Sequence, residues 1–408
     1  MVGMAKDYGF NLAIRVALMT KIGVFEYGSI KRVHFGAAFE DALLDEVTRL
    51  RAERVFLIVS TSLRKKTDEI SKACDALATR VVDVFDSVPP HTPRDVVIAA
   101  ADRARRYGAD LICTIGGGSV TEAGKGLRVC LAYDITDLDQ LDALHLRARP
   151  DGTIYNPITR APNIRQIAVP TTLSGGEFNK AGGLVHPKTR VKHAFEHPDL
   201  LPFSVILDPS LTLHTPLDLW LSTGIRGLDH AVEALLSTNL DPYSEATSIQ
   251  ALTLLTAGLS RTKAAPSDKA ARQASQSGVW LSSTPIIAGV RMGASHAIGR
   301  ALGGTAGVPH GLTSCVLLPS VLRYNEMATE AQQNVVAKAM GRPGIPAAQI
   351  VEDLVTQLGL PRRLGEVGVK KDRFEAIAKA AMQDRGIYGN PRPIKGWEDI
   401  LAILELAA

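Results

Sequence analysis

Apolar positions in the first half of the chain come in short unbroken runs. Residues 55–60, 80–85, 111–115 and 165–169 are runs of five or six residues, and from Leu63 and again from Pro93 the apolar positions recur at helical spacing. Continuous apolar strands alternating with helices predict a parallel sheet covered on both faces, a doubly wound α/β unit of the nucleotide-binding type. A polar, proline-containing excursion over 134–163 interrupts the alternation. Beyond Asp208 and Pro209 the strand signals fade, and helical spacing fills 217–236, 241–259, 270–299 (with a break expected at Pro285) and 347–358. A chain of 408 residues exceeds what one core comfortably supports, so two domains are expected. Their bounds are read as an N-terminal extension over 1–20, a nucleotide-binding α/β domain over 21–208 and an all-helical substrate or metal-type domain over 209–408. Two domains imply a cleft.

Composition narrows the partners. Hydrophobic residues make up 46% and charged residues 22%, an ordinary globular balance. No apolar run approaches the ~20 residues of a membrane span, so no membrane association is expected. Forty-six basic and 42 acidic residues, spread along the chain, leave a net charge of +4, too diffuse for a nucleic-acid surface. A small anionic partner needs only a local basic site. Cys74, Cys113, Cys130 and Cys315 show no C-x-x-C spacing and read as reduced packing residues of a cytoplasmic protein. The opening stretch carries no recognisable cleavage signal, so no signal peptide is expected.

The candidate chemistry begins at Gly116-Gly117-Gly118-Ser119, which leaves an apolar strand and enters a helix. Three glycines remove the Cβ atoms that would keep a diphosphate from the backbone amides, and the helix offers free N–H groups and the positive end of its dipole. The spacing is not the G-x-G-x-x-G of the usual dinucleotide fold. A second strand end, Val169-Pro170-Thr171-Thr172-Leu173-Ser174-Gly175-Gly176-Glu177, is rich in hydroxyls and glycines, and ligands of open α/β sheets bind at the carboxyl ends of strands.

Together G-G-G-S and P-T-T-x-x-G-x-E resemble the iron-containing alcohol dehydrogenase and dehydroquinate synthase superfamily, from about Lys21 onward. The resemblance implies a dehydroquinate synthase-like fold in which Gly116, Gly117, Gly118 and Ser119 hold the diphosphate of NADH or NADPH. It also implies that Thr171 and Thr172 line the nicotinamide side and that Lys192 lies near the cofactor. Glu122 stands where the family usually has aspartate. In the helical half, Thr223 to Glu233 resembles the family helix that carries a metal-binding aspartate and, four residues on, a metal-binding histidine; here the pair is Arg226 and His230. The pattern H-x-x-x-H…L-G-G…P-H-G is matched with His296 and His310 in the other two metal-ligand positions and Arg300 in place of the second histidine.

Three imidazoles could hold iron or zinc, and His230, His296 and His310 are the fallback ligands. Charge argues against it, because arginine for aspartate puts a permanent cation, with a pKa above about 12, beside the intended ion. Asp229, turned by roughly 100° from His230 on a helix, is expected to pair with Arg226 rather than join the cluster. No bound metal is therefore expected. Arg226 and Arg300 suit a carboxylate through their bidentate forks, and the histidines can donate to a developing enolate. The set is similar to the metal-free maleylacetate reductase branch, which implies NAD(P)H-dependent reduction of maleylacetate to 3-oxoadipate in aromatic-compound degradation, with a homodimer expected. Leu173 and Arg300 depart from that branch. Two alternatives stay open: an iron- or zinc-dependent alcohol dehydrogenase, and a non-redox anion-binding or lyase-type relative.

Overall fold

The computed structural model describes residues 25, 27–149, 153–189 and 191–408; the expected extension over 1–20 lies outside them. Ten strands are present in chain order: β1 (Arg32–Phe35), β2 (Val55–Val59), β3 (Val81–Phe85), β4 (Leu111–Gly116), β5 (Arg147–Ala148), β6 (Ile154–Tyr155), β7 (Arg165–Pro170), β8 (Ala181–Val185), β9 (Lys192–Glu196) and β10 (Ser204–Leu207). Six of them form one sheet in the order β1-β10-β7-β4-β2-β3, with every pairing parallel. β5 with β6 and β8 with β9 form two antiparallel hairpins. Every residue of β2 and β4 is buried, which is why these strands read as unbroken apolar runs.

The helices of this half are α1 (Phe39–Leu50), α2 (Thr61–Lys66), α3 (Glu69–Leu77), α4 (Arg94–Arg106), α5 (Gly118–Ala132) and α6 (Leu138–Asp142). The chain runs from β2 outward to β3, then returns to the other side of β2 with β4. That reversal opens a crevice at the carboxyl ends of β2 and β4, where sheets of this kind bind ligands.

From Leu217 onward the described residues hold helices and no strands: α7 (Leu217–Leu236), α8 (Pro242–Ala264), α9 (Lys269–Ile287), α10 (Ala294–Ala306), α11 (His310–Ala339), α12 (Ala347–Leu358), α13 (Phe374–Ala381) and α14 (Trp397–Leu406). The break expected at Pro285 within 270–299 is present but falls later. Pro285 lies inside α9, and the chain breaks after it, at Gly289 (φ 84°) and Gly293. Proline is tolerated near a helix end once neighbouring turns compensate, whereas a left-handed glycine ends the helix.

Sixteen of the 20 residues of α7 are buried, and Trp220, Ile225, Leu228 and Val232 join the core with Leu252, Leu255 and Leu318. A helix enclosed on all sides is fixed by its packing, since each fully buried Leu or Ile contributes about 1.5–3 kcal/mol. No helix among the described residues is long and apolar enough to cross a membrane.

Candidate active site

Two strand ends build the sheet side of the cleft. β4 ends at Gly116 and α5 begins at Gly118, with Gly117 as its N-cap. The amides of Val120 and Thr121 bond the Gly117 carbonyl, so the amides of Gly118 and Ser119 remain at the helix mouth, where an anion fits. The loop after β7 lies against this one: the Thr171 amide donates to the Gly116 carbonyl at 3.0 Å. A Cβ on Gly117 would stand 3.2 Å from Thr172 Cγ2, and one on Gly118 would stand 3.0 Å from Ser174 Oγ. The glycines therefore admit the second loop as well as a ligand. These residues fit a nicotinamide dinucleotide, with a backbone cradle at one end and two buried threonines beside it.

Gly117→Val is expected to weaken NADH binding about five- to 150-fold, because a branched side chain would displace Thr172 and close the cradle, a repacking worth roughly 1–3 kcal/mol. Titration of NADH fluorescence reads it. An unchanged Kd would remove the loop from the cofactor site.

Lys192 is held rather than free. Its ammonium pairs with Glu122 Oε2 at 2.9 Å, and Glu122 Oε1 accepts from the Gly183 amide at 3.1 Å. Beneath the loops, Lys125 is fully buried and donates to the carbonyls of Gly176 (2.7 Å), Ala181 (3.1 Å) and Asn179, tying α5 to the segment that follows the threonines. Burial lowers its pKa to about 7. Glu177, also buried, is pushed up to about 7 by the loss of water.

The helical side is a stripe along α7. Arg226, Asp229, His230 and Glu233 follow i, i+3, i+4 and i+7 and share one face. Arg226 Nη1 donates to Ser314 Oγ at 3.2 Å and lies 3.7 Å from Asp229 Oδ2, beyond hydrogen-bond distance. The ion pair expected between Asp229 and Arg226 is present, and Asp229 also joins the cluster, which was not expected. Its Oδ2 accepts from Ser295 Oγ (2.8 Å) and Ser314 Oγ (2.6 Å) and stands 3.6 Å from His296 Nδ1. The i+3 spacing that pairs Asp229 with Arg226 also carries it onto the stripe beside His296.

Glu233, unassigned from sequence, organises the start of α10. It accepts from the amides of Gly293 (3.0 Å) and Ser295 (2.7 Å) and bonds His296 Nδ1 at 2.6 Å. The Nδ1 proton of His296 is thereby assigned toward the carboxylate, leaving Nε2 as a buried lone pair without a partner. His296 thus accepts toward the cleft instead of donating, a correction to the expected role. Its ring lies 4.9 Å from that of His230. Burial and the facing cations hold His230 and His296 well below the usual histidine range, and His310 down to about 3, so all three are neutral imidazoles.

Arg300 requires a second correction. Its guanidinium is taken by Asp384 in a bidentate pair, Nε to Oδ2 at 2.5 Å and Nη2 to Oδ1 at 2.6 Å, so its fork is not open to a substrate carboxylate. The partner lies 84 residues away in sequence. Both guanidiniums act on the three histidines, and Arg226 is the one with no carboxylate at hydrogen-bond distance.

Among the described residues, His230, His296 and His310 do not gather around one point as the three ligands of a divalent ion would. Zinc at about 2.0–2.1 Å from each ligand needs donor atoms roughly 3.4 Å apart. Among the described residues, the groups with donor atoms within 4.8 Å of one another are Asp142 with His145 and His193, His34 with Asp45 and Glu46, and Asp229 with Glu233 and His296. His230, His296 and His310 do not form such a group. In the third group His296 enters through Nδ1, already bonded to Glu233, and Arg226 stands beside Asp229.

Known proteins place this geometry. Residues 31–209 match the model of the iron-containing alcohol dehydrogenases, and residues 220–408 match that of the C-terminal part of the same family. A dehydrogenase of Alternaria alternata is 32% identical over 83% of this chain and 94% of its own length. Maleylacetate reductase 1 of Cupriavidus pinatubonensis is 29% identical over 89% of this chain and 91% of its own. The crystal structure of maleylacetate reductase from Agrobacterium tumefaciens superposes with a TM-score of 0.79 at 27% identity, covering 95% of this chain and 98% of that one.

Proposed function

The chain belongs to the iron-containing alcohol dehydrogenase family of nicotinamide-dependent oxidoreductases, and from that premise we propose that it reduces an unsaturated oxo-dicarboxylate of the maleylacetate type with NADH or NADPH and without a metal. Arg226 is the observation that carries this. It puts a desolvated guanidinium beside three neutral imidazoles, where an anion is stabilised and a divalent cation is repelled.

When bound, the nicotinamide supplies the hydride. Arg226 holds a carboxylate of the substrate and offsets the negative charge that develops on the oxo group. His230 can donate a ring N–H to that oxygen, whereas His296 Nε2, as a lone pair, accepts and so orients a hydroxyl or enol proton. We further propose a cytoplasmic homodimer acting in the breakdown of aromatic compounds; sedimentation in solution checks the oligomer.

One observation favours a second reading, that of a metal-dependent alcohol dehydrogenase: the buried lone pair of His296 suits a cation as well as a donor proton. The deciding experiment is NADH and NADPH oxidation with maleylacetate and with simple aldehydes, before and after dialysis against a chelator, with the metal content measured. Reduction of maleylacetate that survives chelation is expected. Activity that disappears with the chelator and returns with iron or zinc would overturn the metal-free reading.

A further inference from the structure

The loop joining β3 to α4 carries two consecutive non-glycine residues with left-handed backbone, His91 (φ 68°) and Thr92 (φ 52°). That region is sterically costly for side-chain-bearing residues and rarest for a β-branched one. Surrounding bonds hold it in place. The Thr92 hydroxyl donates to the Ser119 carbonyl at 3.1 Å, the Thr92 amide bonds the Pro89 carbonyl at 3.3 Å, and the Thr92 carbonyl accepts from Val185 at 3.1 Å. The His91 amide donates to Ser119 Oγ at 3.2 Å.

All these contacts belong to Thr92 or to the backbone. The His91 ring makes no hydrogen bond among the described residues, is exposed, and faces the His310 ring across the cleft, with centroids 6.5 Å apart and planes at 73°. Backbone held in this region by its surroundings clusters at active sites and ligand clamps. Asp384 occupies the fork of Arg300, so a second substrate carboxylate needs a different donor.

We propose that His91 is a substrate-contacting residue at the mouth of the cleft, donating a ring N–H to the outward carboxylate of a dicarboxylate whose inner carboxylate lies on Arg226. The contact rests on the dicarboxylate reading proposed above, though not on which dicarboxylate is reduced.

The test uses His91→Gly and His91→Asn in the full chain. Glycine adopts the left-handed backbone without penalty, so His91→Gly is expected to melt at or above the wild-type temperature. Loss of one hydrogen bond to a charged group should nonetheless raise KM for maleylacetate about ten- to a hundredfold, with NADH Kd unchanged. Asparagine, which tolerates the same backbone and keeps a donor, should recover part of the loss.

A binding arm measures adipate affinity for the NADH-saturated enzyme by calorimetry and needs no turnover. Weaker adipate binding in His91→Gly supports the contact even if the wild type reduces no substrate tested, an outcome that sinks only the proposed reaction. Equal adipate affinity in variant and wild type, or no adipate binding by the wild type, overturns the contact. So does a parallel loss of NADH affinity or thermal stability in His91→Gly, which would mark a structural role.

Discussion

Arg226→Ala is expected to lower kcat/KM for the dicarboxylate about 30-fold to several thousand-fold, matching the roughly 2–5 kcal/mol lost when one partner of a buried, hydrogen-bonded charge pair is truncated. Cofactor binding should be spared, because Arg226 lies on α7 and bonds Ser314, away from Gly116 to Ser119. Arg226→Lys keeps the positive charge but loses the planar fork, so it should recover only part of the activity. Steady-state kinetics alongside NADH fluorescence titration separates the two effects. Full activity in the alanine variant, or equal losses for substrate and NADH, would take Arg226 out of the substrate site.

Glu233→Ala should damage both folding and catalysis. It strips the acceptor from the amides of Gly293 and Ser295 and from His296 Nδ1 at once, inside the protein. Each buried donor left without a partner costs about 1–3 kcal/mol, so a loss of stability on the order of 3–5 kcal/mol is expected. Glu233→Gln keeps the shape and one acceptor oxygen and should fall between the alanine variant and the wild type. Urea denaturation reads the stability, and the 15N chemical shifts of the His296 ring read whether its proton has left Nδ1. A glutamine variant with wild-type stability and an unmoved His296 tautomer would show that the carboxylate does not orient that ring.

The parts of the molecule that were legible from sequence are those whose physics is local. β2 and β4 announced themselves because both faces are covered, and the glycine loop because three missing side chains need no context to interpret. Helices α7 and α12 matched their apolar spacing end to end. Strand β10, only four residues long, gave too short a run to register, and α11 was hidden by Pro319 and by the non-helical Thr329 within it.

In the site, residues were found wherever one helix face or one loop carried them. Three features escaped because they depend on distant parts of the chain. Arg300 looked free until Asp384 folded onto it. Glu233 carried no assignment, because the start of α10 that it caps lies 60 residues on. His91 has no signal in its residue type, and only the backbone conformation marks it.

The enclosure of α7 bears on how such an enzyme can diversify. Residues 226, 229, 230 and 233 share a rod packed on every flank, so an exchange among them disturbs the interior and the chemistry together. His91, by contrast, stands at the solvent-facing rim, on a connecting loop. New substrates are therefore more readily acquired by altering that rim than by rebuilding the interior stripe, and a library confined to the rim should yield folded variants at a higher rate.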